Sequence, residues 1–161
     1  MENNTDIEYR MYCLAERHLS SIQKAIQSSH AIVEYSLMYG NSPEYKQWAK
    51  NDKTIIILDG GNSIDLEDIK IHLIDMQYPF EVFYEPDMGN FMTAIAFLVP
   101  NKIYDYQMYG TSYNDYLLKT ISISEKEILP SKISYNEWLE MIGGKTAESI
   151  KAIISSLRIA I

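Results

Sequence analysis

A single cysteine, Cys13, in 161 residues excludes an intramolecular disulfide. It stands in an apolar, strand-like segment and reads as a small buried hydrophobe rather than a nucleophile. No apolar run approaches the ~20 residues of a membrane-spanning helix. Positive charge is scarce: 14 Lys/Arg against 22 Asp/Glu give a net charge of −8, which argues against a broad phosphate-binding face. His18, His30 and His72 lack the i,i+4 pairing and the neighbouring cysteines of a zinc site, so no metal is expected. Among the 7 glycines, Gly60-Gly61 is too short for a dinucleotide fingerprint. Gly143-Gly144-Lys145-Thr146 has Leu139 where a phosphate loop needs glycine. No cofactor is expected. The polar opening Met1-Glu2-Asn3-Asn4-Thr5-Asp6 is unlike a secretory leader, so the expectation is a cytoplasmic protein with no membrane partner.

What is present is an ordinary globular balance, 47% hydrophobic and 22% charged, over a length that predicts one domain. The acidity is uneven. Residues 1–53 hold six Lys/Arg against seven Asp/Glu, and residues 54–161 hold eight against fifteen, so an anionic ligand is better tolerated near the N-terminal third.

Residues 7–15 read as a strand, and Ser20 with Gln23 three residues later is a capping box opening a helix. Ile22, Ala25, Ile26, Ser29, Val33 and Leu37 give that helix an apolar stripe. Ser42-Pro43 starts a second helix, which ends near Asn51-Asp52. Thr54 to Leu58 is a continuous apolar and β-branched run, the pattern of a strand covered on both faces. A helix over 65–77 follows, with Leu66, Ile69, Leu73 and Met76 as its core stripe. Strands at 80–84 and 91–99 flank a loop short enough for a hairpin. The alternation predicts an α/β fold: three layers, α/β/α, around a small mixed four-stranded sheet. Beyond Pro100 come a tyrosine-dense stretch without period, a capping box at Ser134-Tyr135-Asn136-Glu137, a Gly143-Gly144 break and a last helix striped by Ile150, Ile153, Ile154, Leu157 and Ile161. The whole is expected to be one domain, 1–161: a core over 7–100 and an extension over 101–161 with two helices.

Polar residues with chemical potential gather on the first helix. Gln23, Gln27, His30 and Glu34 recur at intervals of four, three and four, a line that is either a solvated face or one presented to a substrate. The segment Gln27-Ser28-Ser29-His30-Ala31 puts serines in mid-helix, where their hydroxyls compete with the backbone. Asp87, in a loop directly after a strand, is either a turn former or a group that orients a water. Thr93 follows on the next strand, as a ligand contact or a simple β residue.

Taken together, this order of motifs resembles the type II peptidyl-tRNA hydrolases. The resemblance rests on Gln27-Ser28-Ser29-His30-Ala31, Lys46-Gln47-Trp48, the loop aspartate Asp87 and the strand Thr93-Ala94-Ile95-Ala96, over roughly residues 7–100. It implies hydrolysis of the ester joining a peptide to the 3′ end of tRNA, with Asp87 activating a water and His30 and Thr93 lining the site. A side-chain cation would stabilise the developing negative charge. The family carries a glycine-rich turn with lysines before its helix. Here the turn reads Glu16-Arg17-His18-Leu19-Ser20-Ser21, and the family's lysine position falls on Gln23. Lys24 and Arg17 are the cations that remain, with Gln27, Ser28, Arg17 and Gln23 as substrate-binding candidates. Two readings stay open. One is an ester hydrolase acting on peptidyl-tRNA or a related small substrate. The other is a non-catalytic binding protein on the same fold, which lost the lysine. The isoleucine-striped last helix either completes the core or forms a homodimer interface.

Overall fold

The computed structural model describes residues 7–124 and 133–160. Four strands, β1 (Tyr9–Ala15), β2 (Thr54–Asp59), β3 (Glu81–Glu85) and β4 (Phe91–Pro100), form one sheet in the order β2-β1-β4-β3. β1 pairs in parallel with β2, from Arg10↔Thr54 to Ala15↔Asp59, and antiparallel with β4. β3 is antiparallel to β4. Hence β1, β2 and β3 all run the same way, and their carboxyl ends share one edge with the start of β4. The architecture is the mixed four-stranded α/β fold that the pattern predicts.

The two central strands carry the core: Met11 to Ala15 and Met92 to Val99 are buried. β2 corrects an expectation. Its run of β-branched residues suggested cover on both faces, but it is an edge strand, with Ile55 47% exposed and only Leu58 fully buried. The end of that edge is closed by a C-terminal segment: Asp59 N–H donates to the Arg158 carbonyl and Ala160 N–H to that of Ile57.

Helix α1 (Ser21–Tyr39) begins at the Ser20–Gln23 capping box and lies on the sheet face formed by Met11, Cys13, Ala94, Ala96 and Leu98. Its orientation overturns the sequence pattern. Ile22, Ile26, Val33 and Leu37 are 75%, 47%, 55% and 77% exposed, and the buried side is Lys24, Gln27, Ser28, Ala31 and Tyr35. The sheet residues opposite are small, so Ser28 and Ala31 let the helix approach closely where an isoleucine–leucine stripe would not fit. Burial also pushes the Cys13 thiol up to about 12, so it is inert as a nucleophile.

Helix α2 (Pro43–Gln47) continues into a π-helical turn over Trp48–Asp52, where the buried Trp48 indole donates to the Thr54 carbonyl at 2.9 Å. Helix α3 (Ser63–Asp75) covers the opposite sheet face with Leu66 and Leu73, as its stripe predicts. It requires glycine before it. A Cβ on Gly60 would lie 2.5 Å from Leu66, and Gly61 has φ +82°.

The described residues separate into two compact units, one running to Pro100 and regaining the chain at Leu157, the other Asn101–Ser156. The second unit holds α4 (Asn101–Tyr104), α5 (Tyr106–Tyr109), α6 (Tyr113–Ser124), α7 (Tyr135–Ile142) and α8 (Lys145–Ser156), where the pattern predicted two helices. The tyrosine-dense stretch lacks a period because it is cut into short helices, with Asp105 capping α5 and Gly110 ending it. α7 starts at its Ser134–Glu137 capping box. On α8 the buried positions are Ala147, Ile150, Lys151 and Ile154. Leu157 lies past the helix end, and Ile161 lies outside the described residues. Lys151 is fully buried, donating to the Ile103 carbonyl and, at 2.8 Å, to that of Gly110, with its ammonium 5.0 Å from the Tyr106 ring centroid. The ends of short helices leave such carbonyls without intrahelical partners, and the lysine supplies them. No helix among the described residues is long and apolar enough to cross a membrane.

Candidate functional site

Parallel strands gather loops at their carboxyl ends, the usual place for a site in an α/β sheet. Here the Ala15 carbonyl accepts from Gly60 N–H and the Gly61 carbonyl from Arg17 N–H, each at 2.8 Å. Glu16 N–H donates to the Thr93 carbonyl, tying the start of β4 to the same edge.

A β-bulge shapes this edge. Phe83 pairs with Ala94 and Tyr84 with Met92, so Thr93 is the extra residue of β4. Simple alternation would place Thr93 with Ile95 and Phe97, on the α3 side. The bulge turns it to the α1 side, where its hydroxyl donates to Gln27 Oε1 at 2.9 Å with the Phe83 carbonyl at 3.3 Å. Gln27 Nε2 in turn donates to Glu85 Oε2 at 2.6 Å. The result is a relay, Thr93–Gln27–Glu85, buried at Thr93 and Gln27 and half-buried at Glu85, linking α1 to the β3–β4 connection. Sequence reasoning named Thr93 and Gln27 but missed Glu85, because the loop's other acid, Asp87, drew the assignment. The signal was available: Glu85 is the last residue of β3, where a side chain is held by the sheet.

Two further polar groups on the same helix face lie next to this relay. Lys24, one turn before Gln27, is 7% exposed, and its ammonium makes no hydrogen bond or ion pair among the described residues. The Ser28 hydroxyl is buried with no hydrogen-bond partner. Buried polar groups are nearly always paired, so the unpaired Ser28 hydroxyl, with the Lys24 side chain one turn before it, marks a place open to a further polar partner. The charge of Lys24 is felt at Asp59, the last residue of β2. Burial raises the Asp59 carboxyl, but the Gly61 N–H, the Arg17 guanidinium and Lys24 outweigh it and hold it below the ordinary carboxylate value. Arg17 Nε lies 3.2 and 3.1 Å from the two Asp59 oxygens, so its charge is engaged there.

The remaining candidates are placed elsewhere. Asp87 sits on an exposed 3-10 turn, Pro86–Met88, with its N–H directed at Glu85 Oε1 at 3.4 Å. His30 is exposed and packs edge-on against Phe83, 4.5 Å between ring centroids. Among the described residues no hydrogen bond or ion pair joins Asp87 to His30, Thr93 or Lys24. Gln23 is exposed and spends its amide oxygen on the Ser20 cap. Beside Thr93 opens a cleft of about 220 Å³ whose walls include Leu19, Met88, Phe91, Glu16 and His18. It is mainly apolar and suits an uncharged side chain or acyl group. Among the described residues no group of three or more His, Cys, Asp or Glu is arranged to hold a metal ion.

No family model matches this chain, and no curated protein matches it.

Proposed function

We propose that this chain is a peptidyl-tRNA hydrolase-like esterase in which Glu85, rather than Asp87, is the working carboxylate. The observation that carries the reading is the Thr93–Gln27–Glu85 relay, with Lys24 one turn before Gln27 on the same helix and in no hydrogen bond or ion pair among the described residues. In this reading Glu85 accepts a proton from a water as its oxygen bonds to the ester carbonyl carbon. Lys24 stabilises the oxyanion that forms. The carbon–oxygen bond to the ribose then breaks, and the 3′ hydroxyl leaves with the proton. The apolar cleft beside Thr93 receives the acyl or peptide portion. Gln27 is a positioning residue that holds the carboxylate in place.

A second reading has its own observation. Both polar atoms of the Gln27 amide are engaged, Arg17 is neutralised by Asp59, and the chain is acidic overall, which suits a binding protein without turnover. The test is release of the acyl amino acid from N-acetyl-aminoacyl-tRNA by the full chain. Esterase activity should fall by about 100-fold or more in Glu85→Gln and Lys24→Met, magnitudes in the range of lost acid–base or oxyanion groups. Asp87→Asn should stay within about twofold of the parent, a surface change. Release no faster than a buffer blank, with tRNA still bound, establishes the binding reading instead.

A further inference from the structure

At the opposite end of the sheet from the relay, where Tyr9 pairs with Pro100, lies a cavity of about 280 Å³. Its walls are dominated by four tyrosines, Tyr9, Tyr35, Tyr39 and Tyr78, with Glu44 at its exposed mouth. None of the described residues lining it is a lysine or arginine. We propose that this cavity is a binding site for a small quaternary ammonium compound of the choline type.

Three observations converge on that chemistry. First, the rings are held in place. The Tyr78 hydroxyl donates to the Leu98 carbonyl at 2.7 Å, and Tyr35 is almost fully buried against the sheet. Tyr35 and Tyr39, one turn apart on α1, have centroids 4.7 Å apart. A cage anchored in this way loses little freedom when it closes on a guest. Second, the surrounding field is negative. Burial raises the Tyr9 phenol, and Glu44 and Asp52 raise it further; burial raises that of Tyr39, and Glu81 adds to it. The same carboxylates that disfavour phenolate favour a cation. Third, aromatic faces attract a cation whose hydration shell is weak, and a trimethylammonium group meets that condition better than a hydrated metal ion. Among the described residues no group of three or more His, Cys, Asp or Glu is arranged to hold a metal ion. The volume lies at the lower limit of ligand pockets, enough for a trimethylammonium head and a short chain.

The test is calorimetric titration of the full chain with choline and, in parallel, with 3,3-dimethylbutan-1-ol, its uncharged carbon isostere. Choline should bind saturably and the alcohol should not. Glu44→Gln, a change at an exposed position on α2, should weaken choline binding roughly 3- to 10-fold, and Tyr39→Leu more than about 10-fold, whereas Tyr39→Phe keeps the ring and most of the affinity. Far-ultraviolet circular dichroism of each variant separates lost binding from lost fold. Equal binding of choline and the alcohol overturns the proposal in favour of a plain apolar pocket. Heat only with phosphatidylcholine vesicles, and none with free choline, overturns the small-molecule form. Absence of saturation with choline at tens of millimolar overturns it outright.

Discussion

Lys151 makes stability depend on pH in a direction opposite to that of a paired surface lysine. Burial drives its ammonium down from 10.5 to about 8; Asp105 opposes that shift, Lys119 adds to it, and Asp115 again opposes. The unfolded chain therefore holds this proton more tightly than the folded one. Stability rises with pH wherever the unfolded state binds more protons, so the gain begins near pH 8 and is complete above 10.5. The full difference is about 3 kcal/mol at ~1.4 kcal/mol per pH unit. Between pH 7 and 9.5 the expected rise is about 2 kcal/mol. Lys151→Met keeps the length and removes the charge. It also leaves the Ile103 and Gly110 carbonyls without their donor, at about 1–3 kcal/mol for each that stays dry. At pH 7 the charge penalty it removes, about 3 kcal/mol, works against that loss, and the variant is expected to lack the rise. Urea unfolding at pH 7 and 9.5 reads the difference, with Trp138 fluorescence as the probe in a Trp48→Phe background so that the signal comes from the helical unit. At an m-value of about 1–3 kcal/mol per molar, the parent midpoint should move up by about 1 M relative to the variant. The raised tyrosines are present in both proteins and cancel. Parallel pH curves for the two would refute the reasoning, because they would show that Lys151 titrates alike in both states.

Thr93→Val keeps the shape of the bulge but strands Gln27 Oε1 without a donor, so urea unfolding should show a loss of about 1–3 kcal/mol that Thr93→Ser largely restores. Leu37→Lys, on the exposed side of α1, should change stability by less than about 0.5 kcal/mol. Tyr35→Ala, on the buried side of the same helix, should cost about 3–5 kcal/mol. Thermal melts of the two decide which face is the core.

Much of the layout was legible because local rules agree there. The Ser20 and Ser134 capping boxes, the Ser42-Pro43 start and the hairpin-length connection between β3 and β4 all declare themselves within a few residues. The rotation of α1 was not legible. Apolar periodicity favoured Ile22, Ile26 and Leu37, but the choice of face depended on how small the opposing sheet residues Cys13, Ala94 and Ala96 are, a long-range fact. The same holds for the site. Gln27 and Thr93 stood out as residues, whereas their joining needed a one-residue bulge that no local pattern announces. Lys151 hid inside an isoleucine stripe because its partners are carbonyl groups, which leave no mark on composition.

The closure of the β2 edge carries a consequence for how the chain is made. Leu58 bridges Ile159, and the entire helical unit is encoded between them. A ribosome adding about 5–20 residues per second leaves that edge waiting for about 5–20 s after β2 has emerged. Throughout that interval the half-exposed Ile55 and the free backbone groups beside Leu58 form an open strand, the kind of surface that recruits another nascent chain. The helical unit thus acts as a timer on the sheet's completion.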